Sequence, residues 1–306
     1  MKPSDLKWSI RGVWVRETGT FVPFNLALFL DLRNWWKYYR AERKTAPSAK
    51  KPLRNVACHP REVQPHYLLW GAMRQARLDP QGPEAKADIH VYFKDQTYLN
   101  EEGDVPAGLN RDCLDISKSK VASVFEEVFG YPLHVNPRTS PPPFICKSEI
   151  NGRHDGYVSS ENCTPKEGWV YQKLIQTETL EGTVLDMRAV TIFGKIPLIY
   201  LKERPVASRF ANMNSRCRLA KTQDYLSSKE QTLISQFCQK MRLDWGGLDI
   251  LRDAQSGKIY IVDVNKTDMG PPLALPLKDK LRSTQMLGLA LREAVDFHYP
   301  PDLETH

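Results

Sequence analysis

A proline run, Pro137-Arg-Thr-Ser-Pro-Pro-Pro143, divides this chain into two stretches whose patterns cannot belong to one kind of sheet. Before it, strand-like and helix-like segments alternate: Asn55 to Cys58, the helical His66 to Leu78, Asp88 to Phe93, a helix over Ser117 to Phe129 closed by Gly130, and a short strand at Tyr131 to Val135. Such alternation predicts a small parallel-sheet α/β unit. After it come strands joined by turns: Phe144 to Lys147, Trp169 to Ile175, then Val184 to Phe193 and Ile196 to Lys202 flanking a Gly194-Lys195 turn. Ser227-Ser-Lys-Glu230 is a capping box opening a helix to about Arg242, and strands Gly247 to Arg252 and Lys258 to Asn265 follow. Hairpins around one helix predict an α+β unit. The stiff proline run is the linker, so the expected parts are 1–51, 52–136 and 137–306.

The first part is an extension. Its residues 33–54 hold eight Lys and Arg against Glu42 alone, which accounts for the whole formal charge of +7. The remainder is electrically balanced, so a broadly basic nucleic-acid-binding surface is excluded. Phe24 to Arg40 is helix-compatible and aromatic-rich. Trp and Tyr beside Lys and Arg suit a membrane interface, which leaves open a peripheral contact through residues 24–54. The plainer reading is a helix packed on the body with its basic tips in water. No apolar run is long enough to span a bilayer, no secretory signal order is present, and the six scattered cysteines read as free thiols. The expectation is a cytoplasmic protein, peripheral at the inner membrane face if the extension docks there.

The final hairpin carries the sharpest chemical signal. Alternate strand residues share a face, so Asp263 and Asn265 point one way and Val262 and Val264 the other. With Arg252 opposite Lys258, Asp249 would face Ile261 and lie diagonal to Asp263. Clustered carboxylates repel unless compensated, and a hard divalent cation bridging phosphates removes that cost. A plain polar sheet face is the alternative. A cationic set stands elsewhere: Lys147 before the loop Asn151-Gly-Arg-His-Asp-Gly156, then Arg188, Lys202 and Arg204 on the hairpin. The loop glycines allow backbone to approach phosphate oxygens. Pro197 disturbs the return strand, so the sharing of faces is left open. Walker, dinucleotide-fold, nucleophile-elbow and kinase signatures are all missing.

In this order, over roughly residues 110–272, the features resemble the ATP-grasp superfamily, in particular the branch of ribosomal-protein glutamate ligases and D-alanine–D-alanine ligases. The resemblance implies two α+β subdomains clasping nucleotide, preceded by the small α/β domain. It implies that Lys147 with Gly152 and Gly156 binds phosphates, that Gln172, Lys173 and Leu174 in Val170-Tyr-Gln-Lys-Leu-Ile175 border adenine, and that Glu178 takes the ribose. Asp186-Met-Arg188 matches the family's D-x-R strand, Lys202 or Arg204 would serve as phosphate cation, and Arg209-Phe-Ala-Asn-Met stands in the place of its Arg-Phe-x-x-Asn stretch. Asp249, Asp263 and Asn265 fall where one or two Mg²⁺ are held. Two departures stand out: Asp263 replaces the usual Glu, and Lys266-Thr-Asp-Met-Gly-Pro-Pro272 replaces the usual ending.

The implied activity is ATP-dependent joining of a carboxylate, on a small molecule or peptide, to an amine through an acylphosphate. Lys147, Arg188, Lys202, Arg204 and Arg209 would carry the catalytic charge, with Arg209 and Arg216 clamping the carboxylate. Two rivals share the sequence: a small-molecule or sugar kinase using Asp155 or Asp268 as base, and a non-catalytic nucleotide-binding module docked at a membrane.

Overall fold

The computed structural model describes residues 6–15, 20–80, 87–100, 105–153, 155–209 and 215–300. The chain is mixed α/β, with one parallel and three antiparallel sheets among these residues.

An antiparallel sheet of β1 (Leu6–Ser9), β2 (Gly12–Val15) and β3 (Thr20–Pro23) precedes the long helix α1 (Leu26–Lys44). The stretch expected to be an extension thus holds a sheet of its own. Asn25 caps α1, its side-chain oxygen accepting the Leu28 N–H. The second half of α1 is fixed to the body. Tyr38 is buried with its hydroxyl 2.9 Å from Thr284 Oγ1, and the buried Glu42 accepts from Arg74 Nε at 3.1 Å and Gln75 Nε2 at 2.6 Å. The basic stretch is therefore not one surface: Arg54 is buried and donates to the Tyr299 carbonyl, and Lys51 pairs with Asp296.

The parallel unit holds β4 (Arg54–His59), α2 (Leu68–Gln75), β5 (Leu78–Asp79), β6 (Ile89–Tyr92), β7 (Gly108–Leu109) and α3 (Lys118–Phe129), in sheet order β5-β4-β6-β7. Gly130 ends α3 at φ 75°, the left-handed conformation glycine adopts without penalty. The expected strand at 131–135 is instead extended chain. It bonds to the later segment Trp169–Lys173 through Val135 N–H and a single His134–Gln172 bridge, too little for a ladder.

Two further sheets follow. The smaller has β8 (Phe144–Ser148) between β9 (Tyr157–Ser159) and β10 (Trp169–Lys173). The larger, β13-β12-β11-β14-β15, contains β11 (Thr183–Ile192), β12 (Lys195–Pro205), β13 (Arg216–Ala220), β14 (Trp245–Arg252) and β15 (Ile259–Asn265). The β11–β12 turn is Phe193-Gly194, both at positive φ, one residue earlier than the sequence suggested. A bulge between Val190 and Ile192 takes up the extra residue near Pro197, so the proline bends the strand without breaking it.

The larger sheet is covered on both sides. Helices α3 and α4 (Ser228–Met241, capped by the Ser227–Glu230 box) pack Phe125, Ile234 and Phe237 onto Met187, Ala189, Leu248 and Ile250. Helix α5 (Leu277–His298), which the sequence reading did not assign, joins α2 and the parallel sheet in a second core. There Leu287 and Leu291 meet Val190, Ile192, Leu198 and Trp245. A side chain at Gly288 would strike Gln75, so this glycine sets the close approach of α5 to α2. Among the described residues no helix is long and apolar enough to cross a membrane, and all six cysteines are unbridged.

Candidate functional site

On the face bearing the second core, each strand of the larger sheet changes character along its length. β11 runs from Ile192 and Val190 to Arg188 and Asp186, β12 from Leu198 and Tyr200 to Lys202 and Arg204, and β14 from Trp245 past Gly247 to Asp249. The cross-strand register brings these polar ends together: Arg188 stands opposite Asp249, Asp186 opposite Lys202, and Asp249 opposite Asp263. The last pairing corrects the diagonal expected from sequence. Arg252 pairs with Ile259, and a bulge after Asp249 leaves Val262 as the extra residue of β15, which sets the two carboxylates directly across from each other.

That bulge has a second effect. It frees the Val262 carbonyl, which accepts a 2.8 Å hydrogen bond from Lys147 Nζ, a side chain of the smaller sheet. Lys147, Ile145, Val170 and Gln172 lie on one face of that sheet by register, while Phe144, Cys146 and Tyr171 form a small core on the other. Burial pushes the Lys147 ammonium down to about 8, although Asp263 partly opposes the shift.

Every cation on the larger sheet's site face has a carboxylate. Arg188 grips Asp249 in a fork, Nε to Oδ1 at 2.8 Å and Nη2 to Oδ2 at 2.9 Å, and Lys202 Nζ lies 3.0 Å from Oδ1. Burial opposes the Asp249 charge, yet Arg188 and then Lys202 outweigh it and hold the carboxyl far below the usual range. Arg188 also reaches Asp268 at 2.5 Å, and Arg204 pairs with Asp186. Asp268 Oδ2 is buried without a hydrogen-bond partner, and burial lifts this carboxyl to about 6 despite Arg188. Gly247 is required here. A Cβ on it would sit 1.9 Å from Asp268 Oδ2.

The unusual ending after Asn265 has a structural role. Lys266 is fully buried and donates to the Cys113 carbonyl, Thr267 Oγ1 bonds Asp95, the Leu68 N–H donates to the Asp268 carbonyl, and Gly270 N–H bonds His66. This segment laces the larger sheet to the parallel unit. The sequence carried no sign of Asp95 or Gly247 in this arrangement.

Other sequence candidates are placed as follows. Asn265 Oδ1 accepts the Thr267 N–H and hydroxyl, so it is turned into its own turn. In the β8–β9 loop, Gly152 has φ 75° but its N–H is held by Asn151 Oδ1, and Asn151 N–H bonds Thr97. Gly156 directly precedes β9, and His154 lies outside the described residues. Gln172 is buried with Nε2 unpartnered, whereas Lys173 donates to the Tyr260 hydroxyl at 3.3 Å; Leu174 is partly buried. Glu178 is half-exposed and pairs with Arg209 at 3.4 Å. Beyond Arg209, the rest of its stretch, Phe210 to Met213, is outside the described residues. Arg216 stands opposite Glu203, on the sheet face away from Lys202, which removes it from the expected carboxylate clamp.

The donor chemistry fits a hard cation in part. Asp263 accepts only the adjacent Val264 N–H among the described residues, and Asp249 stands beside it. No cluster of three or more His, Cys, Asp or Glu side chains is present among the described residues. Phosphate oxygens and water would have to complete the shell, as Mg²⁺ commonly requires.

No protein-family model matches the sequence, and no curated protein matches it. Among solved structures the chain is similar to the ATP-grasp ligase PsnB complexed with minimal precursor, at 14% identity and TM-score 0.36, over 55% of this chain and 60% of that one. The first-named likeness thus spans about three-fifths of its counterpart. It is also similar to PsnB complexed with minimal precursor, Mg and ADP, at 12% identity and TM-score 0.45, over 78% of this chain and 99% of that one. A third is a Chryseobacterium gregarium RiPP-associated ATP-grasp ligase in complex with ADP and a leader and core peptide, at 12% identity and TM-score 0.35, over 57% and 59%. Each is described as an ATP-grasp ligase, the superfamily that the sequence motifs resemble.

Proposed function

We propose that the chain is an ATP-dependent ligase that joins a carboxylate to an amine, with Mg-ATP held between the smaller and larger sheets. The observation that carries this reading is the convergence of Lys147, Arg188, Lys202 and Arg204 with Asp186, Asp249, Asp263 and Asp268. Four cations meet four carboxylates. A triphosphate of about −4 would unbalance such a site alone, and two divalent cations would restore neutrality. Asp249 and Asp263 would hold the metal, with the Asn265 oxygen joining if Thr267 releases it. Mg²⁺, when bound, neutralises charge on the β- and γ-phosphates.

Lys147 is poised for this role. It exchanges its hydrogen bond to the Val262 carbonyl for a phosphate oxygen, and the added negative charge raises its pKa. The D-x-R arginine and Lys202 turn from Asp249 toward the transferred phosphoryl group, where charge develops. The substrate carboxylate oxygen attacks the γ-phosphorus, and the bond to the β-γ bridging oxygen breaks to release ADP. The amine then attacks the acyl carbon, expelling phosphate after losing a proton to solvent. Gln172, with its unpartnered buried amide, has an unspent donor for adenine at the edge next to Lys173 and Leu174. Glu178, released from Arg209, would take the ribose hydroxyls, and Arg209 would then be free for the substrate carboxylate.

The ligase reading is favoured over a hydroxyl kinase because the latter needs a free base. Asp155 accepts the Ser148 N–H at 3.1 Å, and Asp268 is pressed against Gly247 and bound by Arg188. A screen for ADP release with Mg²⁺, across amino acids, peptides and sugar acids with and without amines, tests the proposal. Phosphate release that needs both an acid and an amine supports the ligase. A stable phosphorylated product from a hydroxyl substrate overturns it.

A further inference from the structure

The exposed surface of the N-terminal segment has a composition that water does not favour. Trp8, Ile10, Phe24, Leu26, Phe29 and Leu30 are all exposed; Ile10 is fully so and Leu26 is 73% exposed. They form one tip. The Phe24 N–H bonds the Arg11 carbonyl and the Trp8 and Phe24 rings lie 6.2 Å apart, which holds the β1–β2 turn beside the start of α1. Scattered exposed apolar residues are ordinary, whereas a contiguous cluster marks a surface that meets something else.

The arrangement along α1 identifies the partner. Its buried side is set by Tyr38 and Glu42, and the opposite side is apolar at Leu26, Phe29 and Leu30. One turn later the same side presents Arg33, Trp36 and Lys37, and then Arg40, all exposed. The polarity therefore changes along the helix axis and not around it. A groove-binding helix keeps one apolar stripe for its whole length. An axial order of aliphatic, then aromatic with cationic, then anchored to the body follows the layers of a bilayer surface: acyl chains, headgroups, water. Leu26 to Leu32 spans about 9 Å, within the roughly 5–10 Å depth reached by interfacial helices.

The charge selects among lipids and against self-association. A two-fold contact between copies through this tip would gather Arg33, Lys37 and Arg40 of both copies at one interface, where like charges repel. Acidic headgroups complement them.

We propose that the tip formed by the β1–β2 turn and the first two turns of α1 is a peripheral anchor that inserts into the surface of an anionic bilayer. This is independent of the reaction proposed for the larger sheet's site face. The test uses the full chain with vesicles containing about one-quarter phosphatidylglycerol in phosphatidylcholine, beside pure phosphatidylcholine vesicles. The chain should sediment with the acidic vesicles, with blue-shifted tryptophan emission, and release as salt is raised. Phe29→Ser with Leu30→Ser should weaken binding at least about tenfold. Arg33→Gln with Lys37→Gln should remove the preference for acidic lipid. Ile10→Ser, on the separate turn, should weaken binding while thermal unfolding stays unchanged, which guards against a folding defect in the helix variants. Absence of sedimentation, or equal sedimentation by all variants, overturns the proposal. So does a concentration-dependent dimer that the Phe29 and Leu30 substitutions dissolve.

Discussion

The site face of the larger sheet and the N-terminal tip are opposites. In the former, the Arg188, Lys202 and Arg204 charges meet Asp249, Asp268 and Asp186 inside the molecule. In the latter, large apolar side chains stand largely in water. A site whose charges are satisfied internally can be read from its own geometry, since removing one member leaves a partner exposed to loss. A surface left unsatisfied points outward, and substitutions there should alter where the protein binds and not whether it folds.

The largest expected effects lie on the site face of the larger sheet. Asp263→Ala should lower ATP turnover by about a thousandfold or more. Because among the described residues its one hydrogen bond comes from the neighbouring Val264 N–H, the melting temperature should stay near the parent's. Normal turnover by this variant would remove the metal assignment. Lys147→Met should cost about a hundredfold in kcat/KM for ATP. In the unmutated protein that parameter should fall as the pH rises through about 8, where the free ammonium loses its proton. A flat profile between pH 7 and about 9 would detach Lys147 from phosphate binding.

The next effect is on stability. Asp268 is lifted from 3.8 to about 6, so between these values the folded chain holds more protons than the unfolded chain. The sign follows: stability is greatest below the unfolded value and falls as pH rises through about 6, by about 3 kcal/mol for this group. Asp268→Asn should flatten that part of the curve in chemical denaturation from pH 4 to about 7. An unchanged slope would mean that the carboxyl titrates as if in water. Gly247→Ala should destabilise by about 1–3 kcal/mol, since its Cβ needs the space of Asp268 Oδ2.

The same contrast explains what could be seen beforehand. That Asp249 and Asp263 share one sheet face, and that the two stretches form different kinds of sheet, were legible because strand periodicity and turn residues are local. The mixed parallel and antiparallel architecture was anticipated for that reason. The bulge at Val262 was not legible, because it depends on how β14 and β15 twist against each other, and it decides both the carboxylate geometry and the acceptor for Lys147. Pairings such as Asp186 with Arg204, or Thr267 with Asp95, join residues distant in sequence and needed the folded chain. Helix α5 is different. Leu287, Leu291 and Val295 repeat at four-residue spacing, a helical signal that the sequence itself carries. The strands β1 to β3 are four residues each, the lower limit at which alternation marks a strand.

Helix α1 offers the smallest effect, and the sharpest form of the comparison, because both environments occur on one helix. Tyr38→Phe removes the hydroxyl that meets Thr284 Oγ1 inside the junction of α1, α2 and α5, where Gly71 leaves room for both side chains. The loss leaves Thr284 its bond to the Lys280 carbonyl, so the cost should be about 1 kcal/mol in denaturant unfolding. Leu26→Ser, three turns earlier on a side chain that touches water, should change unfolding by no more than about 0.5 kcal/mol. A loss from Leu26→Ser as large as that from Tyr38→Phe would show that the tip is packed in solution, and would collapse the distinction between the two halves of the helix.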